Sequence, residues 1–243
     1  MRNILGFVRL CLFAIIGLTS VLFFFILGIT DSGHKRVFAA FKWSTVVIRF
    51  VLNIKLKVVG EVPHVQGVIM SNHRSYIDIV LIPSAIPYVI VAKRQVKPWP
   101  IIGQAAVALK TIFVDRDSAE SRSKTRDAIQ NRLAQGLSVL IYPEGTTFEG
   151  PGVLDFKPGI FRTCAAEGFP VVPIAIEFKN KDMAWIGDDT FLRHFLEAFG
   201  HWRVEVSVSV GQPLSGNDGE ALRLQCQQWV DSETRRLSVE AAL

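Results

Sequence analysis

Gly67-Val68-Ile69-Met70-Ser71-Asn72-His73-Arg74-Ser75-Tyr76-Ile77-Asp78-Ile79-Val80-Leu81-Ile82 joins two apolar runs through one polar segment. Residues 67–70 read as a buried strand, and residues 79–82 as the buried side of a helix. Between them, His73 is released at the strand end with a carboxylate, Asp78, five residues on. Histidine takes a proton near neutral pH, and a carboxylate beside it can fix its tautomer and stabilise the imidazolium. The pair therefore suits a general base and its orienter. Ser75-x-x-Asp78 also resembles a helix capping box, which would give Asp78 a purely structural task.

Outward from this segment, strand and helix patterns alternate. Residues 54–58 alternate as a half-exposed strand, and further strands are expected at 88–92, 111–114, 138–142, 171–178 and 204–210. Helices are expected at 78–84, 101–109, 118–134 and 159–167. Asp117 or Ser118 opens the third of these, and Asn217-x-x-Glu220 caps a final helix. The expected fold class is α/β: a mostly parallel sheet flanked by helices over residues 54–243, preceded by an N-terminal membrane-embedded segment over residues 1–53. In such sheets, binding sites lie beyond the carboxyl ends of the strands.

The N-terminal segment explains the positive mean hydropathy of +0.31. Leu10 through Ile29 is twenty residues without a charge, enough to cross about 30 Å of hydrocarbon as a helix. It is longer than a signal-peptide core and no small-x-small cleavage site follows it, so a retained anchor is expected. A hairpin in one leaflet, hinged near Gly17 or Thr19-Ser20, is the alternative. Residues 34–52 mix Lys35, Arg36, Lys42 and Arg49 with Phe38, Phe41, Trp43 and Phe50. This reads as an interfacial helix with its basic side toward headgroups, or else as an ordinary core helix. The first sixty residues carry eight basic groups against Asp31 alone, whereas the rest carries 19 basic and 21 acidic groups. A basic excess confined to the membrane-proximal part fits anionic lipid better than nucleic acid. Cys11, Cys164 and Cys226 show no paired spacing, which argues against a disulfide framework or a metal site.

Polar clusters fall at the strand ends. After His73 and Asp78 come Lys93-Arg94, Asp115-Arg116 and Pro143-Glu144-Gly145-Thr146-Thr147. Taken singly, each has an ordinary reading: Asp115-Arg116 as a surface pair, Glu144 as an exposed turn residue, and Lys93 and Arg94 as solvated cations. Together they supply a base with its carboxylate, an anion-binding arginine, and a turn offering backbone N–H groups. Acyl transfer to a hydroxyl requires these parts: the base takes the hydroxyl proton as oxygen attacks a thioester carbonyl, and donors hold the oxyanion. No G-x-S-x-G elbow appears and no cysteine neighbours the cluster, so direct attack is simpler than a covalent acyl-enzyme.

His73-x4-Asp78, Phe113-Val114-Asp115-Arg116, Tyr142-Pro143-Glu144-Gly145-Thr146 and Val171-Val172-Pro173-Ile174-Ala175 resemble, in order, the four blocks of the glycerolipid acyltransferase family, over roughly residues 55–180. The nearest likeness is to bacterial 1-acyl-glycerol-3-phosphate acyltransferases. The resemblance implies that His73 deprotonates the acceptor's sn-2 hydroxyl and Asp78 polarises His73. Arg116 would hold the acceptor phosphate with help from Lys93, Glu144, Gly145 and Thr146 would shape the acceptor site, and Pro173 would line the acyl tunnel. It implies an acyl thioester of coenzyme A or acyl carrier protein as donor, phosphatidate as product, membrane phospholipid as surroundings, and no metal or other cofactor. The expected location is the inner (cytoplasmic) membrane, with the catalytic domain facing the cytoplasm. Many relatives have arginine where this chain has Thr147, and threonine cannot replace a bidentate, permanently charged phosphate ligand. Phosphate recognition would then lean on Arg116, Lys93, Lys157 or Arg162. Otherwise the acceptor is another lysolipid, such as lyso-ornithine lipid, or the protein is a membrane-bound acyl thioesterase.

Overall fold

Runs of Val and Ile punctuated by short polar segments become strands, and the longer amphipathic stretches between them become helices. A computed structural model describes residues 2–30, 35–62, 64–115 and 119–242. Helices α1 (Arg2–Thr30) and α2 (Lys35–Val51) lead into β1 (Ile54–Val59), β2 (Val68–Ser71), a 3₁₀ turn (Tyr76–Val80), β3 (Tyr88–Lys93) and a second 3₁₀ turn (Arg94–Val96). Next come α3 (Ile102–Ala108), β4 (Ile112–Val114), α4 (Ala119–Ala134), β5 (Ser138–Ile141), α5 (Gly159–Glu167) and β6 (Val171–Phe178). A third 3₁₀ turn (Lys181–Met183), α6 (Phe191–Ala198), β7 (Val204–Val210) and α7 (Gly219–Ala242) complete the order.

The sheet order is β1-β7-β6-β2-β5-β3-β4. The five strands from β6 to β4 are parallel, β7 is antiparallel to β6, and β1 follows β7 in parallel. The expected α/β class and mostly parallel sheet are therefore what the chain adopts. Side chains of β2, β3, β5 and β6 alternate between two apolar layers, whereas β1 and β7 contribute to one of them only. In β6, Val172, Ile174 and Ile176 face the layer that holds α1, α2 and α6, whereas Val171 and Ala175 face the layer of α5 and α7.

Several local expectations change. Residues 76–80 form a 3₁₀ turn rather than the start of an α-helix. Asp218, not Asn217, caps α7: its Oδ1 accepts the N–H groups of Glu220 and Ala221. Helix α6 has no counterpart in the sequence reading. Asp117, Ser118 and the break at 31–34 lie outside the described residues. Helix α1 runs unbroken through Gly17 and Thr19-Ser20, so no hinge exists there. Gly17 instead lets α1 approach the chain before α3, because a Cβ at this position would stand 2.4 Å from Ile101 Cγ2. In α2, Val37, Phe38 and Phe41 are buried in the sheet's own core. Two of its bases turn onto the domain, Lys42 Nζ donating to Ser84 O and Arg49 to Val80 O, and Trp43, Val46 and Phe50 stay exposed. The solvent-facing side of α2 thus mixes these apolar residues with exposed Lys35 and Arg36. The boundary drawn at residues 53 and 54 falls between α2 and β1, and the apolar core crosses it.

Candidate active site

Parallel pairing of β2 with β5 puts Met70 beside Ile141, so the chains leave the sheet level with each other. Three residues on from each stand His73 and Glu144. Asn72 pins the end of β2 to β6: its side chain donates to Ile176 O at 2.8 Å and accepts Ile176 N–H at 2.7 Å. His73 Nδ1 then meets Asp78 Oδ2 at 2.8 Å. The same wholly buried oxygen accepts the backbone N–H groups of Arg74 (2.7 Å) and Ser75 (2.9 Å). Asp78 therefore both closes the turn and orients the histidine, and the two readings of the sequence are compatible. Because Oδ2 already accepts two backbone N–H groups, it acts as an acceptor toward the histidine as well, so Nδ1 carries the hydrogen and Nε2 keeps the lone pair for a substrate.

Glu144 is buried and points inward. Its Oε1 accepts His73 N–H at 2.7 Å and its Oε2 accepts Leu154 N–H at 2.9 Å, while Phe148 N–H donates to His73 O at 2.9 Å. The turn thus grips the histidine's backbone from both sides. Burial pushes the Glu144 carboxyl up from its ordinary value, opposed by the Leu154 and His73 N–H groups. Gly145 takes φ +81°, a left-handed conformation that glycine adopts without a Cβ clash. The Thr147 hydroxyl donates to Trp185 O.

Arg74, whose role the sequence reading missed, is almost fully buried. Its guanidinium donates to Glu177 Oε2 at 2.8 and 3.1 Å, to Phe148 O and to Gly152 O. No periodicity signals this pair, because its members are 103 residues apart. Nearby, Tyr76 Oη lies 3.1 Å from His194 Nδ1, and His194 Nε2 lies 3.2 Å from Ala184 O. Burial lowers the pKa of His194 from its ordinary value.

His73, Tyr142, Gly145, Thr146 and Thr147 line one end of an apolar cavity of about 280 Å³. Helices α1 and α2 supply another wall through Phe13, Gly17, Phe24, Phe41 and Ile48, and β3 contributes Ile90 and Lys93. Arg116 lies outside the described residues. Asp115 directly follows β4, whose Val114 pairs with Lys93. Two placements differ from expectation. Pro173 has the parity of Val171 and Ala175 and faces the α5/α7 layer, against Gly211, rather than lining the cavity. Lys157 and Arg162 are exposed, and neither lines it. Among the described residues, no group of three or more His, Cys, Asp or Glu side chains converges as a metal site requires.

A protein-family model described as Acyltransferase matches residues 55–177. A lyso-ornithine lipid O-acyltransferase of Pseudomonas aeruginosa is 29% identical over 196 residues, covering 78% of this chain and 76% of its own. One from Rhizobium meliloti is 30% identical over 206 residues, covering 76% and 70%. A 1-acyl-sn-glycerol-3-phosphate acyltransferase of Neisseria meningitidis is 31% identical over 132 residues, covering 54% and 52%. The crystal structure of the 1-acyl-sn-glycerophosphate acyltransferase of Thermotoga maritima superposes with a TM-score of 0.73 at 20% identity, covering 98% of both chains. At that identity, the likeness speaks for the fold.

Proposed function

Because the chain belongs to the acyltransferase family, we propose that it moves a fatty acyl chain from a thioester donor to the hydroxyl of a lysolipid, with His73 as general base. The observation that carries this reading is His73, held by Asp78 at Nδ1 and placed at the polar end of an otherwise apolar cavity. Nε2 takes the acceptor's hydroxyl proton while its oxygen bonds to the thioester carbonyl carbon. The tetrahedral intermediate then expels the thiolate, which takes the proton back from His73. Gly145 N–H closes the turn on Tyr142 O, and the backbone N–H groups of Thr146 and Thr147 are assigned as the donors to the developing oxyanion. Coenzyme A and acyl carrier protein present the same thioester, and either serves as donor in this mechanism. Glu144 acts as a positioning residue beneath His73, and the acceptor's anionic group is assigned, from the family resemblance, to Arg116 with help from Lys93.

The resemblance put 1-acyl-glycerol-3-phosphate first as acceptor. Two observations support lyso-ornithine lipid instead. The Thr147 hydroxyl is committed to Trp185 O, so the turn offers no arginine-like anion ligand. In sequence, relatives named for that acceptor also align over more of the chain than the Neisseria phosphate-acceptor enzyme does. Purified protein in mixed micelles, given a labelled acyl thioester with each lysolipid or with none, separates the alternatives. His73-dependent transfer to lyso-ornithine lipid is the expected result. Transfer to the phosphate acceptor alone would keep the mechanism and change the substrate. Free acid in every tube would mean a thioesterase.

Helix α1 is long and apolar enough to cross a membrane, but its contacts support a different placement in one leaflet. Along its length of about 42 Å, Ile4, Phe7, Ile15, Leu18, Leu22 and Ile29 expose one apolar side. The opposite side packs on the domain: Gly6 against the Leu196 backbone of α6, Gly17 against Ile101, and Ser20 Oγ bonded to Ser44 Oγ of α2. The Arg9 guanidinium is buried against the carbonyls of Phe199, His201 and Trp202. A spanning α1 would drag the exposed Arg193–Glu197 pair of α6 into hydrocarbon. Lying in the plane, α1 immerses its apolar side, and the cavity it walls opens at lipid level, with the α/β domain on the cytoplasmic side.

A further inference from the structure

Hydrogen bonds fix single points of His73: Asp78 holds Nδ1, and Glu144 and Phe148 hold the backbone. What fixes a plane is Tyr142. Its ring lies flat on the imidazole, with centroids 4.0 Å apart and planes inclined by 15°. Tyr142 follows β5 directly and is buried, and Pro143 with its restricted φ sets where the chain goes next. The Tyr142 hydroxyl is also buried and has no hydrogen-bond partner among the described residues. Burial, with Asp78 nearby, keeps this phenol protonated well above its ordinary range. The ring face is thus what Tyr142 presents to the site.

Building on the reading of His73 as the base, we propose that Tyr142 is a positioning residue for acyl transfer, whose ring face sets the plane in which His73 Nε2 is aimed at the acceptor hydroxyl. While the hydroxyl proton resides on His73, the same face attracts the imidazolium. An aliphatic side chain of similar size fills the space but leaves the imidazole free to pivot about its bond to Asp78.

The test uses the full chain in mixed micelles. Tyr142→Leu and Tyr142→Met, which adapts best to an irregular gap, are each assayed alone and in a His73→Ala background. Both single variants should lose about ten- to a hundred-fold in kcat with KM for both substrates unchanged, the scale of a misaimed reacting group. Tyr142→Phe, which keeps the ring, should restore kcat to within about two-fold, since an unpaired buried hydroxyl contributes little. The His73 ring protons should show an upfield ring-current shift in the native protein and the Phe variant, and lose it in the Leu and Met variants. In the His73→Ala background, none of the changes should lower the residual rate further. Native kcat in the Leu and Met variants, an equal loss in Tyr142→Phe, or a loss that persists without His73 would each overturn the proposal. Full activity of His73→Ala would overturn the base reading itself, and this inference with it.

Discussion

A single oxygen, Asp78 Oδ2, serves the turn and the base at once, and this makes the two site residues separable by experiment. Asp78→Asn turns an acceptor into a mixed donor and acceptor, and the histidine loses its tautomer control. We expect kcat to fall by about 10²- to 10⁴-fold, as for the loss of a base's contribution. His73→Ala should cost similar activity. Only Asp78→Ala should also lower stability, by about 1–3 kcal/mol, because it orphans the buried N–H groups of Arg74 and Ser75. Equal melting temperatures for the two alanine variants would show that the turn does not depend on Asp78. The Arg74–Glu177 pair allows a second test. Glu177→Leu strands a buried guanidinium and should destabilise by about 3–5 kcal/mol in urea unfolding. A double Arg74→Met/Glu177→Leu variant should recover part of that loss.

Helix α6 reaches the site through a side chain whose protonation the fold disfavours. Neutral His194 donates from Nε2 to Ala184 O and accepts the Tyr76 hydroxyl at Nδ1, tying α6 to the catalytic turn. Its folded pKa lies below the ordinary 6.5, so the unfolded chain binds the proton more readily. The stability it contributes is present above pH 6.5 and lost as pH falls through the folded value. The melting temperature should therefore drop more between pH 7.5 and 5.5 in the native protein than in His194→Gln. Parallel curves would show that this contact does not govern the acid side. The α1–α2 pair is likewise tied in by specific contacts, from Arg9 on the carbonyls just after α6 to Ser20 on Ser44.

At the scale of the whole molecule, one cavity joins the His73 turn to helices α1 and α2. Removing residues 1–50 deletes its wall and uncovers the sheet face that Val37, Phe38 and Phe41 cover. The truncated protein should lose transfer of long acyl chains, and it should also melt lower and aggregate through the exposed face. A soluble, monomeric truncation with native activity on a long-chain donor would contradict this placement of α1 and α2.

Sequence alone determined the alternation of strands and helices, the polar blocks at the strand ends, and the His73–Asp78 pair. All of these are local: a five-residue turn closes on itself wherever the chain later goes, and apolar periodicity marks what must be buried. Tertiary structure decided which surface covers which. Glu144 meets the His73 amide only because β2 and β5 pair in that register, and Pro173 turns from the cavity because its place in β6 gives it the other face. Arg74 finds Glu177 across 103 residues, and α1 lies against α6 and the chain entering α3. A sequence pattern records the demand for burial, and only the packed sheet and its helices specify the partner that meets it.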